Sequence, residues 1–129
     1  AHSSGGVWRN PATGKDETHA GGEPVGYVVE LENGFKIWHM GDTGVFGDMK
    51  WIAEYYKPDL VMIPIGGGFT MDATDAAYAL RELIKPKFAM PMHYRVTPGA
   101  KTPPEQLVEA LGKTSIKLFL LKPGEQAEF

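Results

Sequence analysis

Three side chains that could bind a metal ion stand far apart in the sequence: His2, Asp42 and His93. His2 lies in a Ser/Gly-rich segment, and His93 follows Met90-Pro91-Met92 at the end of a predicted strand. Asp42 lies in the turn Gly41-Asp42-Thr43-Gly44, directly after another predicted strand, and flanking glycines permit close backbone approaches. His and carboxylate ligands suit zinc, manganese or iron. The alternatives are a turn aspartate that bonds its own backbone and surface histidines that are hydrogen-bonded.

The elements that must position these residues follow the order β-β-α-β-α-β-α-β-β. Asn33-Gly34 predicts a hairpin between strands 25–32 and 35–40. Helical spacing predicts helices over 48–56, 73–84 and 102–111, with Asp48 capping the first and Asp72 or Thr70 the second. Further strands are predicted over 59–65, 87–91, 116–121 and 126–129, whereas 1–24 is predicted to be loop. The pattern indicates an α/β fold with helices on one face of a mixed sheet.

Composition restricts the class of protein. The chain has 129 residues, 43% of them hydrophobic and 22% charged, which is typical of one globular domain or part of a larger one. It has no cysteine, so disulfides, thiolate metal sites and a Cys nucleophile are excluded. A net charge of −3 without a basic cluster argues against nucleic acid or a membrane surface as partner. Since it also has no signal-peptide pattern, we expect a cytoplasmic protein.

Other motifs in the sequence predict less. The run Gly66-Gly67-Gly68 follows a strand but lacks the spacing of a dinucleotide or P-loop motif, so it is interpreted as a tight loop at a pocket rim. Strand alternation puts His39 on the same face as Ile37 and opposite Trp38. We expect His39 to be a hydrogen-bonded core residue or one that supports a metal ligand.

Eight motifs in fixed order carry a resemblance that covers nearly the whole chain apart from 10–20. They are Ala-His-Ser-Ser-Gly at 1–5, Gly-Glu-Pro-Val-Gly at 22–26, His-Met-Gly-Asp-Thr-Gly at 39–44, Phe-Gly-Asp-Met at 46–49, Lys-Pro-Asp-Leu at 57–60, Pro-Ile-Gly-Gly at 64–67, Phe-Thr-Met at 69–71 and Pro-Met-His-Tyr at 91–94. Together they resemble the C-terminal half of the metallo-β-lactamase superfamily, within a branch of bacterial metal-dependent hydrolases related to ascorbate-6-phosphate lactonase.

The resemblance implies the C-terminal ββα half of an αββα sandwich and a hydrolase with two divalent metal ions, Zn, Mn or Fe. Such a centre activates water to attack an ester, lactone, amide or phosphoester bond of a small-molecule substrate. By resemblance, the metal ligands are His2, Asp42 and His93, and Asp42 bridges both ions. Asp42 and Tyr94 are the residues implied to act in catalysis, Thr43 and His39 to support the ligands, and Gly67, Phe69 and Thr70 to line the substrate pocket.

One large departure from the family pattern concerns the missing ligands. The family motif His-x-His-x-Asp-His is absent, and the three candidate ligands make only half of a dinuclear site. We therefore expect an N-terminal half of the same fold, as a second chain or a cleaved segment, to complete residues 1–129. A homo-oligomer is left open by the sequence. The alternatives are a non-catalytic half-domain that binds a partner through its exposed sheet, and a metal-dependent nuclease, which the charge disfavours.

Overall fold

The chain folds as a two-stranded hairpin followed by a five-stranded mixed sheet. The structure, a computed structural model, describes residues 5–94 and 102–129. The hairpin pairs β1 (Gly5–Arg9) with β2 (Asp16–Ala20). The sheet has the order β3-β4-β5-β6-β7, in which β3 and β4 are antiparallel and the remaining neighbours are parallel. Its strands are β3 (Tyr27–Glu30), β4 (Lys36–His39), β5 (Leu60–Pro64), β6 (Phe88–Met92) and β7 (Lys117–Leu118).

The helices lie where apolar periodicity predicts them. They are α1 (Met49–Tyr56), α2 (Ala73–Tyr78), which continues as a π-helical segment (Ala79–Ile84), and α3 (Glu105–Leu111). Asp72 caps α2, since its carboxylate accepts from the backbone N–H groups of Thr74 and Asp75 at 2.8 and 2.9 Å. The predicted cap by Asp48 is wrong: its backbone is already helical, at φ −70° and ψ −6°, and its side chain makes no capping bond.

Two similar junctions set the parallel strands in register. Lys57 and Lys85 end their helices with left-handed backbones, at φ 53° and 54°, and a proline follows each of them. A left-handed residue followed by proline stops a helix sharply because proline cannot continue it. The next strands then run side by side, with Leu60 opposite Phe88 and Pro64 opposite Met92.

The core lies between the sheet and the helices. Val61, Ile63 and Ala89 from the strands are fully buried with Met49 and Leu80 from the helical side. Strand alternation places the remaining side chains on the opposite side of the sheet, which we call the open sheet face. Along one row of this face, strand register aligns Tyr27, His39, Met62 and Met90. Tyr27 and His39 are exposed there, whereas the two methionines are half-buried.

Asp59 joins three strands at the amino end of the parallel strands. Its Oδ2 accepts from the Lys36 backbone N–H at 3.0 Å, and its Oδ1 accepts from Lys87 Nζ at 2.9 Å. Its own backbone N–H donates to the Lys36 carbonyl, and its carbonyl accepts from the Phe88 N–H. The hydrogen bond from Lys36 and then that from Lys87 lower the pKa of the Asp59 carboxyl, although burial opposes them.

The prediction of loop throughout 1–24 is wrong. β1 and β2 form a hairpin closed by a turn in which the Gly14 N–H donates to the Asn10 carbonyl at 2.8 Å. Val7 and Trp8 on β1 are exposed, and polar residues dominate β2. Because the hairpin buries no apolar face, its sequence lacks the alternation from which a strand is normally predicted.

The carboxyl-terminal strands also differ from prediction. β7 covers two residues of the predicted 116–121, and the predicted strand over 126–129 is not formed. The last residue instead joins an aromatic cluster, because the Phe129 ring lies 4.8 Å from Phe119, 5.3 Å from Phe35 and 5.5 Å from Phe88, measured between centroids. Side-chain packing, rather than strand pairing, therefore holds this end of the chain.

Candidate metal centre

Three loops meet at the carboxyl edge of the parallel strands. The Asp42 turn follows β4, the glycine loop 66–68 follows β5, and His93 follows β6. Because parallel strands present their carboxyl ends at one edge, residues distant in sequence are brought together there. Binding sites of open α/β sheets are built at this edge.

Asp42 and His93 form a pair at this edge. The distance from His93 Nε2 to Asp42 Oδ2 is 3.5 Å, and the two side chains are 38% and 47% exposed. Zinc takes His nitrogen and carboxylate oxygen at about 2.0–2.2 Å, so two ligands at a tetrahedral angle lie about 3.4 Å apart. The two donor atoms therefore have the separation that a shared metal ion requires, and both side chains are partly open to solvent.

The pair does not make a complete site. No group of three or more His, Asp or Glu side chains that could hold a metal occurs within 5–94 and 102–129. His2, the third predicted ligand, lies outside the described residues. The described part of the chain thus brings together two of the three predicted ligands.

The Asp42 turn is held by close backbone contacts. Gly41 has φ 66°, and a Cβ at this position would overlap the Val25 carbonyl oxygen. The Met40 N–H donates to the Met62 carbonyl at 3.1 Å, which extends the pairing of β4 with β5 up to the turn. Thr43 is buried, and its carbonyl accepts from the Met71 N–H at 3.0 Å. The backbone on both sides of Asp42 is therefore fixed, although its carboxylate is exposed.

His39 lies beside this turn and is exposed, so its prediction as a core residue is wrong. As strand alternation predicts, His39 and Trp38 lie on opposite faces of the sheet. Trp38 faces the helices, and His39 lies on the open sheet face. Its Nδ1 accepts from the Gly41 N–H at 3.2 Å. His39 thus contacts the turn that carries Asp42, and its support of a metal ligand stays a prediction.

The residues predicted to support Asp42 or line the pocket take different positions. The Thr43 hydroxyl donates to the Gly44 carbonyl at 2.8 Å. Phe69 is 86% exposed at the tip of its loop, whereas Thr70 is buried with its hydroxyl 3.4 Å from the carbonyls of Gly67 and Met71. The pocket-lining roles of Gly67, Phe69 and Thr70 stay predictions.

Tyr94 follows His93 and contacts the C-terminal segment and the core. Its hydroxyl donates to the Leu121 carbonyl at 3.1 Å, and the ring packs against the core. A catalytic role would require this hydrogen bond to be exchanged for one to substrate, and it stays a prediction.

The sequence did not single out Gly66. A Cβ here would overlap the His93 carbonyl oxygen and lie 3.0 Å from His93 Nδ1. The glycine run itself was the available signal, but the residue against which it packs follows a different strand.

The family model described as Beta-lactamase superfamily domain matches residues 5–93. The chain belongs to this superfamily. A UPF0173 metal-dependent hydrolase of Polaromonas sp. is 62% identical over 128 residues, which are 99% of this chain and 47% of that protein. One from Methanosarcina barkeri is 46% identical over 109 residues, which are 84% of this chain and 46% of that protein.

Solved structures show the same fold. Igni18, a metallo hydrolase of Ignicoccus hospitalis, is 34% identical with a TM-score of 0.73 over 84% of this chain and 48% of that one. A metallo-β-lactamase superfamily protein of Thermotoga maritima, at 23% identity and a TM-score of 0.53 over 81% of this chain and 49% of that one, shows the fold alone. The chain is a C-terminal half of this fold and spans about half the length of the curated relatives it matches. The predicted family and fold class are confirmed.

The relatives are named metal-dependent hydrolases and a metallo hydrolase. In the described part of the chain, none of the helices is long and apolar enough to span a membrane.

Proposed function

We propose that this chain supplies half of a dinuclear metal centre in a hydrolase that acts on an ester, lactone, amide or phosphoester bond of a small molecule. The observation that carries the proposal is the Asp42–His93 pair, 3.5 Å apart at the carboxyl edge of a superfamily sheet. Asp42 would bridge the ions, His93 would bind one through Nε2, and His2 would be the third ligand. Zinc, manganese and iron each suit this donor set.

The protein's own residues have distinct tasks in this proposal. When bound, the divalent ions would acidify a water and polarise the scissile group. The contact of Gly41 with Val25 and the hydrogen bond between Thr43 and Met71 fix the backbone on both sides of Asp42 at the edge of the sheet. Such fixed support keeps a ligand oriented before the ion arrives.

We propose that the remaining ligands come from an N-terminal half of the same fold, which covers the open sheet face. Tyr27 is 62% exposed and Val29 48%, and these apolar side chains lie on the edge strand β3. Exposed contiguous apolar surface of this kind marks an association site. A small-molecule substrate, a cytoplasmic location and the absence of nucleic-acid or membrane partners stay predictions.

The test uses the complete protein, which is this chain together with the proposed N-terminal half, purified without chelator. Metal analysis should find about two ions per wild-type protein. Asp42→Asn keeps the side-chain shape but weakens the carboxylate donor, so we expect it to lose bound metal and hydrolysis of ester and phosphoester probes. Glu54→Gln, which neutralises an exposed carboxylate on α1, should keep its metal.

Two outcomes would contradict the proposal. A wild-type complex that holds no Zn, Mn or Fe and takes none up would exclude the metal centre. A complex that binds metal but hydrolyses none of the probes, with unchanged behaviour in Asp42→Asn, would favour the non-catalytic half-domain that only binds a partner.

A further inference from the structure

Gly66 packs directly against His93, although the two residues follow different strands. A Cβ on Gly66 would overlap the His93 carbonyl oxygen, lie 3.0 Å from Nδ1 of the ring and lie 3.4 Å from the carbonyl carbon. Nδ1 therefore faces the Gly66 backbone, while Nε2 faces Asp42 at 3.5 Å. The Nδ1 side of the ring therefore lies against Gly66, which leaves Nε2 available as the donor atom.

The backbone of His93 is unusual in the same place. Three non-glycine residues in the described ranges have positive φ: Lys57, Lys85 and His93. The two lysines end helices, where this conformation is common. His93 follows a strand, at φ 56°, so no helix end accounts for its conformation. A strained backbone persists only where its surroundings hold it, and such residues concentrate at functional sites.

The neighbouring backbone provides that hold. The Ile65 N–H donates to the Met92 carbonyl at 3.0 Å, which continues the pairing of β5 with β6 to the residues just before Gly66 and His93. Pro91 and Ile65, which lie next to this hydrogen bond in the chain, are both buried. With these residues paired and buried, we expect a side chain at position 66 to displace the carbonyl or the ring of His93.

We propose that Gly66 is a positioning residue for His93: its missing side chain lets the His93 carbonyl and imidazole lie against the backbone, which directs Nε2 toward Asp42. The inference rests on the proposed role of His93 as a metal ligand. Because metal–ligand distances stay within about 0.2 Å of their usual values, we expect a methyl group at position 66 to move the His93 ligand further than a metal site accepts.

The test compares two glycine-to-alanine variants of the complete protein. Gly47 is the matched control, since neither glycine has a positive φ and a Cβ at Gly47 would meet nothing within 4 Å. Zn²⁺ affinity is measured by competition with a chromophoric chelator. We expect Gly66→Ala to bind Zn²⁺ about 10–100-fold more weakly, the range for lost support of a ligand, and Gly47→Ala to match wild type.

A second readout is independent of metal and activity. Crystal structures of both metal-free variants should show a longer Nε2–Oδ2 distance in Gly66→Ala and an unchanged one in Gly47→Ala.

A third comparison measures Zn²⁺ affinity in a His93→Ala background. There, Gly66→Ala should cause no further loss of affinity, because its effect acts through the imidazole. If wild type binds no metal, the proposed function fails, whereas the structural comparison still decides the positioning role.

Three results would overturn the inference. One is wild-type Zn²⁺ affinity in Gly66→Ala, and another is an unchanged His93 ring in its structure. Should Gly66→Ala fail to fold, Gly66→Ala/His93→Gly is measured instead, because glycine at 93 removes the ring and lets the backbone that carries the overlapping carbonyl adopt another conformation. Continued failure to fold would show that Gly66 serves the fold rather than His93.

Discussion

Two aspartates lie at opposite ends of the same parallel strands and have opposite surroundings. Asp59, at the amino end, has both carboxylate oxygens hydrogen-bonded, to the Lys36 backbone and to Lys87, and its side chain is 20% exposed. Asp42, at the carboxyl end, is 47% exposed and faces His93 at a distance longer than a good hydrogen bond. The rigid part around Asp42 is its backbone rather than its carboxylate.

The difference separates a carboxylate that stabilises the fold from one available for binding. Both carboxylate oxygens of Asp59 already accept hydrogen bonds, which hold β4, β5 and β6 together. Asp42 keeps oxygen atoms accessible, while Gly41 and Thr43 fix its position. A metal ligand needs this combination, because an ion can replace water at an exposed oxygen but cannot easily displace two good hydrogen bonds. Substitutions at the amino end should therefore change stability and leave metal binding intact, whereas substitution of Asp42 should change metal binding.

The largest expected effect on stability is that of Gly41→Ala. Alanine meets both a left-handed φ of 66° and overlap with the Val25 carbonyl. We expect the free energy of unfolding of the complete protein, measured by urea titration, to fall by about 3 kcal/mol. Gly34→Ala is the control, since φ is 82° there and a Cβ would meet nothing within 4 Å. Its cost should be about 1 kcal/mol. Equal losses in the two variants would show that the Val25 contact contributes nothing.

Asp59→Asn has the next largest expected effect: the free energy of unfolding should fall by about 1–2 kcal/mol near neutral pH. Its metal content should equal that of wild type. Its pH dependence has a definite sign. The folded pKa is lowered, so the stabilisation is fully present above the ordinary carboxyl pKa of 3.8 and is lost as pH falls through the lower folded value. Urea titrations at several pH values should therefore bring the stabilities of wild type and variant together in acid. A gap that stays constant down to the lowest pH at which both fold would argue against a lowered pKa.

Lys87→Met should have the smallest effect. The Lys87 side chain is 75% exposed, so its ion pair with Asp59 is screened by solvent and contributes about 0.5 kcal/mol. The loss should disappear in about 1 M salt, where the Debye length is about 3 Å. Lys50→Met, which removes an exposed pair with Glu54, serves as a comparison. A loss in Lys87→Met that persists at high salt would assign its effect to the packing of the side-chain stem instead.

The meeting of Asp42 with His93 could be anticipated from sequence, because both follow strands that run in the same direction. The Asn33-Gly34 hairpin predicted the strand before Asp42, and the strand predicted over 87–91 is the one before His93. The exposure of His39 was not predictable in this way, since alternation tells which residues share a face but not which face is covered. The β1–β2 hairpin lacks an apolar face and so lacks the pattern. Gly66 was not predicted as a site residue, because its role depends on a contact between two loops that only the assembled sheet brings together.

The most direct measurement is the Zn²⁺ affinity of the complete protein carrying Asp42→Asn beside the same protein carrying Asp59→Asn. Both substitutions remove one carboxylate charge from the same sheet, so a general electrostatic effect would appear in both. The account predicts an affinity at least about 100-fold weaker for Asp42→Asn and near wild type for Asp59→Asn. Wild-type affinity in Asp42→Asn, or equal losses in the two variants, would contradict it.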